Sequence, residues 1–366
     1  METFAFIIHP LSIQDVAKKY RLATKVSPKV VAGLLKRRRP FAISEITGVE
    51  SETGVRATGW FIAVPLLPRQ ILELEEDYVI GKILKGCRVA EKQGARIVGL
   101  GAFTALVGDA GRRIAEEADI AVTTGNSYTV VTAVEGTRRA AAAMGRELSE
   151  CSLAVVGATG SIGRACAALL APDVAEVCLL GRDSGRLAAV AEQLGADAGS
   201  DFVHSTDVRS SVRNADIIVS VSSSADVLIE PEDIKAGAVI CDVARPRDVS
   251  PRVHEARDDV LVIDGGVVRV PGHPEFNFDF GVPPGHAEAC IAETMILALE
   301  GRYEDYTIGR EISLERIKEI GRLADKHGFR LAGFRRFERV VAESEIERIR
   351  ENAQGGRVAR ASSFSC

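Results

Sequence analysis

The feature that most limits the fold is the run Leu153-Ala154-Val155-Val156 leading into Gly157-Ala158-Thr159-Gly160-Ser161-Ile162-Gly163. A short apolar strand meets three glycines at intervals of three, and an apolar-periodic stretch follows. Gly157 permits a tight turn, Gly160 lets backbone approach a pyrophosphate, and Gly163 lets the helix pack closely on its sheet; the phosphates would sit over unpaired amides at the helix N-terminus. A lone glycine triplet says little, but this one stands in a run of alternating strands and helices. Strands are predicted at 153–156, 177–180, 217–221, 239–242 and 260–263, with helices starting near Ser161, Ser184 and Val208. The expectation is a doubly wound Rossmann domain over 151–282, with Gly157, Thr159, Gly160, Ser161, Ile162 and Gly163 about a dinucleotide.

The second of these strands ends Leu179-Leu180-Gly181-Arg182, with Arg186 one turn on. An acidic residue there would bind the ribose 2′-hydroxyl of NAD. A guanidinium suits a 2′-phosphate and has no acceptor for a hydroxyl proton, so NADPH is the expected cofactor. Asp183 follows at once and pulls the other way. Ser222, first of three serines after the fourth strand, lies where a loop commonly lines the cofactor, although plain turn serines would read the same.

With 366 residues the chain has room for two domains. Residues 1–150 read as a mixed α/β substrate and catalytic domain. Its strands are predicted at 4–8, 61–66, 97–100 and 120–122, and its helices at 71–90 and 129–148. A helix over 283–300 is entered through Pro283-Pro284-Gly285 and left at Gly301, and another over 314–327 has Gly328 at its C-cap. Residues 283–353 are expected to form helices that pack back on the N-terminal domain, and the Gly-, Arg- and Ser-rich stretch 354–366 a disordered tail.

The net charge of −5 gives no global argument for a nucleic-acid partner. Lys36-Arg37-Arg38-Arg39 reads as a solvated helix end in preference to a patch for an acidic partner. Seven cysteines, an odd number with no C-x-x-C pair, disfavour a disulfide framework or a structural zinc site; no metal is expected, and the cytoplasm is the expected compartment. No apolar run approaches a membrane span, and the N-terminus lacks the basic lead of a signal peptide.

One cysteine stands apart. The segment Gly285-His286-Ala-Glu-Ala-Cys290-Ile-Ala-Glu293 opens the predicted 283–300 helix. Cys290 falls near the helix N-terminus, where the dipole favours a thiolate. On helical spacing His286 lies one turn before it and Glu293 three residues after, on one face. A nucleophilic thiolate beside a titratable group suits acyl transfer, whereas an inert core thiol is the default for Cys87, Cys151, Cys166, Cys178 and Cys241.

At this helix a likeness becomes specific. The run Ala289-Cys290-Ile-Ala-Glu293-Thr-Met-Ile-Leu-Ala-Leu-Glu300-Gly301 resembles the catalytic segment of the cyanobacterial-type long-chain acyl-[acyl-carrier-protein] reductases. So do Gly309-Arg310, Ile317-Lys-Glu-Ile-Gly321, His327-Gly328-Phe329, Gly101-Ala-Phe103-Thr104, Thr123-Thr124-Gly125-Asn126, the 157–163 turn and Gly265-Gly266-Val267-Val268. The resemblance is colinear from about Phe4 to about Leu331. It implies an aldehyde-forming oxidoreductase: a fatty acyl thioester, carried by acyl carrier protein or coenzyme A, acylates Cys290, and NADPH reduces the acyl group. Asn126 or the first-turn amides would hold the oxyanion, His286 would move protons, Glu293 would orient a partner, and Gly265 would line the cofactor. A downstream enzyme would consume the aldehyde. Residues 269–286 and the chain beyond Phe334 depart from the pattern, so His286 rests on spacing alone.

Three other readings compete. A quinate/shikimate-type dehydrogenase shares the glycine turn but uses a catalytic lysine, and no lysine lies between Ala121 and Arg146. A non-catalytic NADPH-binding sensor would bind cofactor without turnover and would not need Cys290. Glutamyl-tRNA reductase also works through a cysteine thioester, but with the cysteine in its N-terminal domain.

Overall fold

The structure, a computed structural model, describes residues 1–198, 202–224, 226–337 and 339–362. It divides into two compact units: Met1–Tyr128 with Val268–Arg330, and Thr129–Val267 with the segment from Leu331 on. Both are α/β, and together they form the doubly wound, mixed α/β class expected from the sequence.

In the first unit β1 (Glu2–Ile8) is flanked by β2 (Phe41–Glu50), β3 (Arg56–Ala63), β4 (Ile97–Leu100) and β5 (Ala121–Thr123). β1 pairs in parallel with β3 and β4, and β4 with β5; β2 runs antiparallel to β3, and the strand Gly272–Glu275 closes that edge. Phe4, Ala5, Phe6 and Ile7 are all buried, as a parallel strand covered on both faces requires. Ala5 and Ile7 join Ile62, Val98 and the residues Val79, Ile80, Ile83 and Cys87 of the helix Glu76–Lys92. On the other face, Phe6 and Thr294 both converge on Gly99, where a Cβ would lie 2.3 Å from the Phe6 ring and 2.2 Å from Thr294 Oγ1. The helix Ala289–Leu299, which carries Cys290, thus lies directly on the sheet.

Several expected boundaries move, each for a local reason. The single helix over 71–90 is two helices, Pro68–Glu73 and Glu76–Lys92, parted by an extended Leu74. Glu76 and Asp77 give the second its own acidic first turn. β2 escaped notice because register shifts at Ala42/Ser44 and Ile46/Val49 break its two-residue period. The helix expected over 129–148 is Asn126–Ala143. The one expected over 283–300 begins only at Ala289, after a left-handed Gly285 and the short strand His286–Glu288. Proline at 283 and 284 permits a helix start but does not compel one.

The second unit holds six parallel strands: β6 (Ser152–Val156), β7 (Glu176–Leu180), β8 (Phe202–Ser205), β9 (Ile217–Ser220), β10 (Val239–Asp242) and β11 (Leu261–Asp264), in the order β11-β10-β9-β6-β7-β8. Ala154, Val156, Ile218, Ile240 and Val262 form its core. β8, an edge strand with no fully buried residue, carries no apolar run that would announce it. The expected disordered tail is corrected as far as Ser362, because the helix Glu343–Ser362 runs through it. Once nucleated, a helix extends through Gly355 and Gly356 at a cost of about 1 kcal/mol each. Residues 363–366 lie outside the described residues.

Candidate active site and nucleotide cradle

Cys290 is the second residue of its helix, half-buried and not in a disulfide. Glu288 takes the N-cap position without a side-chain cap, so the amides of the first turn are not closed off by that residue. Five other cysteines have raised thiol pKa values. Burial pushes the Cys87 and Cys241 thiols up to about 12, and raises those of Cys166, Cys178 and Cys151 as well. A thiol so raised stays protonated and inert at neutral pH.

The Thr-Thr-Gly-Asn run of the sequence packs onto this first turn. Gly125 sits at φ +75°, and a Cβ on it would lie 2.3 Å from Cys290 Cα and 2.5 Å from Cys290 Cβ. Only glycine satisfies both the backbone and the space. Asn126 follows as the first residue of its helix, half-buried.

Glu293, one turn beyond Cys290, is fully buried. Its Oε1 accepts from Thr123 Oγ1 at 2.5 Å and Thr307 Oγ1 at 2.7 Å, and its Oε2 from Tyr128 N at 2.8 Å. Burial raises its pKa, and these hydrogen bonds oppose the rise. The carboxylate also lies at the N-terminus of the helix Asn126–Ala143, where the dipole favours an anion. Thr124 donates its hydroxyl to Thr307 O at 2.9 Å, and the Ser127 and Thr307 hydroxyls are 2.7 Å apart. Glu293 therefore ties three segments beneath the cysteine: the end of β5, its own helix, and the loop at Thr307.

His286 does not share the helix, so the expected helical spacing to Cys290 does not exist. It stands on the strand His286–Glu288, half-buried, and its Nδ1 donates to Pro284 O at 2.9 Å. In that tautomer the Nε2 lone pair is the one available to take a proton. His327 serves as a fastener. Ser51 Oγ lies 2.8 Å from its Nδ1, and its Nε2 meets Glu300 at 2.9 Å, just past the end of the cysteine helix.

Sequence reasoning missed His9. It lies at the carboxyl end of the central strand β1, the edge where parallel sheets carry their sites. Phe103 N donates to His9 Nε2 at 3.2 Å, and His9 Nδ1 donates to Pro10 O. Burial pushes its pKa down to about 4, so it is neutral at physiological pH. It thereby fixes the Gly101–Thr104 turn, in which Ala102 holds a strained φ of +46°. A histidine directly after a buried parallel strand was the available signal.

In the second unit the glycines occupy the turn between β6 and the helix Ser161–Leu170. Gly157 has φ +86°; a Cβ on Gly163 would lie 2.4 Å from Gly157 O, and one on Gly160 3.2 Å from it. Thr159 is exposed, Ser161 and Ile162 half-buried. The cradle therefore fits a pyrophosphate: backbone close to the ligand, helix N-terminus behind it. Arg182 and Arg186 are exposed beyond β7. Asp183 accepts from Arg186 N at 3.0 Å and so caps the following helix, which accounts for an acid at that place. Ser222 turns its hydroxyl to Asp248 at 2.5 Å, and Ser220 does the same at 2.6 Å. Gly265 is packed against Val243 and the Cys241 sulfur. The carboxyl ends of β10 and β11 add Asp242, whose pKa burial raises to about 7, and Asp264, held by Arg247 through two contacts of 3.1 Å. Among the described residues no group of three or more His, Cys, Asp or Glu is placed to hold a metal.

The Shikimate / quinate 5-dehydrogenase family matches residues 138–264, most of the second unit. Over 309 residues the chain is 30% identical to the long-chain acyl-[acyl-carrier-protein] reductase of Synechococcus elongatus, covering 79% of this chain and 87% of that one. It is also 30% identical over 342 residues to the aminotransferase PigE of a Serratia species; the match takes in 89% of this chain but spans only 39% of that protein's length. Among solved structures, L-tryptophan dehydrogenase from Nostoc punctiforme overlays with a TM-score of 0.43 at 15% identity, covering 97% of this chain and 89% of that one.

Proposed function

Since the chain belongs to the family of the Synechococcus elongatus long-chain acyl-[acyl-carrier-protein] reductase, we propose that it is an NADPH-dependent oxidoreductase converting a fatty acyl thioester to a fatty aldehyde through an acyl-enzyme on Cys290. One observation carries the reading: the Thr-Thr-Gly-Asn turn is built around the first turn of the cysteine helix, with Gly125 against the Cys290 backbone.

The Cys290 thiolate attacks the thioester carbonyl carbon, and the carrier leaves as a thiol after taking a proton. The acyl group is then a thioester of Cys290. A bound NADPH would supply the hydride that reduces this thioester to the hemithioacetal, whose collapse would return the Cys290 thiolate and free the aldehyde. The first-turn amides and the half-buried Asn126 stabilise the oxyanion in both steps. His286, with Nε2 open, moves the proton to the departing thiol. Glu293 is a positioning residue that holds the turn and the helix together. Gly157, Thr159, Gly160, Ser161, Ile162 and Gly163 would cradle the pyrophosphate, Arg182 and Arg186 would meet the 2′-phosphate, and Ser222 and Gly265 would line the cofactor. The acyl donor is acyl carrier protein or coenzyme A, the work is cytoplasmic, and another enzyme consumes the aldehyde.

The test is direct. Wild-type protein mixed with a long-chain acyl thioester without NADPH should gain the mass of one acyl group, mapped to the Cys290 peptide and removed by hydroxylamine. Cys290→Ala should bind NADPH normally and lose aldehyde formation by more than about a thousandfold. Turnover that persists in Cys290→Ala, with no adduct in the wild type, would mean direct hydride transfer to the substrate thioester and would end the covalent reading.

A further inference from the structure

The segment 11–39 stands out for charge and exposure together. It holds nine lysines and arginines against the single Asp15, in a chain whose net charge is −5. Among the described residues, none of Lys25, Lys29, Lys36, Arg37, Arg38 and Arg39 makes an ion pair. Exposed apolar side chains recur along the segment: Leu22 at 68% exposure in the 3-10 turn Arg21–Lys25, Val26 at 39% in the extended link that follows, and Val30 at 51% and Leu34 at 62% on the helix Pro28–Arg37. Val30 and Leu34 share one face of the helix Pro28–Arg37, while Val31 and Leu35, on the adjacent face, are buried with Val16 and Ala23. The apolar arc of this helix is therefore wider than the protein beneath it covers. The helix is also firmly seated. Lys82 Nζ donates to Leu35 O at 2.9 Å and Lys36 O at 2.7 Å, capping its C-terminus from below, and Tyr78 donates to Lys36 O at 2.6 Å. The uncovered face consequently points outward by construction.

We propose that segment 11–39 is a membrane-surface docking element: it lies in the headgroup layer of an anionic bilayer, with Leu22, Val26, Val30 and Leu34 entering the acyl boundary and the flanking cations meeting lipid phosphates. The charge is complementary to such a surface. The composition also favours lipid over protein. Protein interfaces are depleted in lysine, whereas here lysines flank the uncovered side chains, which are aliphatic except for Tyr20 at 39% exposure, and the lysine stems are able to lie along the lipid while the ammonium reaches water. A second copy of the chain would bring like charge to like. No helix among the described residues is long and apolar enough to cross a membrane, so the attachment is peripheral. The inference stands apart from the reductase reading, because vesicle binding and aldehyde formation are measured separately.

The experiment is co-sedimentation of the full chain with phosphatidylcholine vesicles and with mixed phosphatidylcholine–phosphatidylglycerol vesicles. The expected result is binding to the anionic vesicles that falls with salt, and little binding to the neutral ones. Replacing Leu22, Val30 and Leu34 together by Ser should lower the partition coefficient at least about tenfold, with NADPH affinity and thermal midpoint unchanged because the three side chains are exposed. K36Q, R37Q, R38Q and R39Q together should erase the preference for anionic lipid. Absence of binding to anionic vesicles at low salt overturns the proposal. So does binding that the charge variant abolishes and the serine variant leaves intact, since a purely electrostatic patch would fit an acidic protein partner and would need no apolar stripe.

Discussion

The two sheets treat the carboxyl ends of their parallel strands in opposite ways. At the carboxyl end of β6 the glycines shape a turn over a helix N-terminus: a Cβ on Gly160 or Gly163 would meet Gly157 O, at 3.2 Å and 2.4 Å, and one on Gly157 would meet Val221 O at 2.9 Å. At the carboxyl end of β5, Gly125 performs the same conformational task at positive φ, but the protein's own Cys290 backbone fills the space in front of it. One sheet edge carries an open glycine turn; the other has already received the helix that carries Cys290. Glycine at such an edge therefore marks a close approach, and the tertiary structure decides what approaches.

The comparison breaks most sharply under a crossed pair of substitutions. Gly125→Ala places a Cβ 2.3 Å from Cys290 Cα on a left-handed backbone, so it should slow acylation more than about a hundredfold by displacing the cysteine, while NADPH affinity stays as it was. Gly163→Ala places a Cβ 2.4 Å from Gly157 O and should weaken NADPH binding about tenfold or more, with acylation in the absence of NADPH intact. Acyl adduct by mass and cofactor binding by fluorescence read the two arms. A variant that damages both functions equally would show that the edges are not independent.

Glu293→Gln comes next. The amide keeps one acceptor oxygen where the carboxylate offers two, leaving Tyr128 N or the paired threonine hydroxyls unsatisfied in a fully buried place. The expected loss is about 1–3 kcal/mol of unfolding free energy, read by denaturant titration, with acylation slowed and NADPH affinity preserved. Arg182→Ala addresses the open edge instead. It should weaken NADPH about tenfold through loss of a charge-assisted contact and leave NADH unchanged; equal wild-type affinities for the two cofactors would remove Arg182 and Arg186 from the site.

The smallest effect is one of pH. Burial raises Asp242 to about 7, so the folded protein keeps a proton that the unfolded chain gives up near the ordinary aspartate range. Its contribution to stability then falls as pH rises through that window and levels off above about 7. Asp242→Asn cannot titrate there, so the difference in unfolding free energy between wild type and variant should change by about 1 kcal/mol between pH ~5 and ~6. A pH-independent difference would mean that Asp242 is ionised throughout.

Legibility in the sequence followed local information content. Five strands of the second unit and the helix starts at Ser161 and Ser184 were readable, since each is a short apolar run bounded by glycine, serine or aspartate. β8 was not, because nothing in it is fully buried, and β2 was not, because its bulges scramble the alternation. Of the expected site residues, Cys290, Glu293 and Asn126 came from helical spacing and motif; the structure packs the turn before Asn126 against the cysteine helix and buries Glu293 one turn along it. The helical relation of His286 to Cys290 failed because a three-residue strand takes the place of the expected first turn. His9 and Asp248 went unmarked, being single residues whose meaning lies in contacts 94 and 26 positions away.

What the sequence determined by itself was whatever depends on neighbours along the chain: the α/β class, the glycine turn and its helix, and a cysteine near a helix start. What only the tertiary structure decided was which distant groups share a place. Gly125 meets Cys290 across 165 positions and Thr123 meets Glu293 across 170. A hydrogen bond or a van der Waals contact acts over a few ångströms of space and is blind to separation along the chain, so these contacts leave no periodic signature in the sequence.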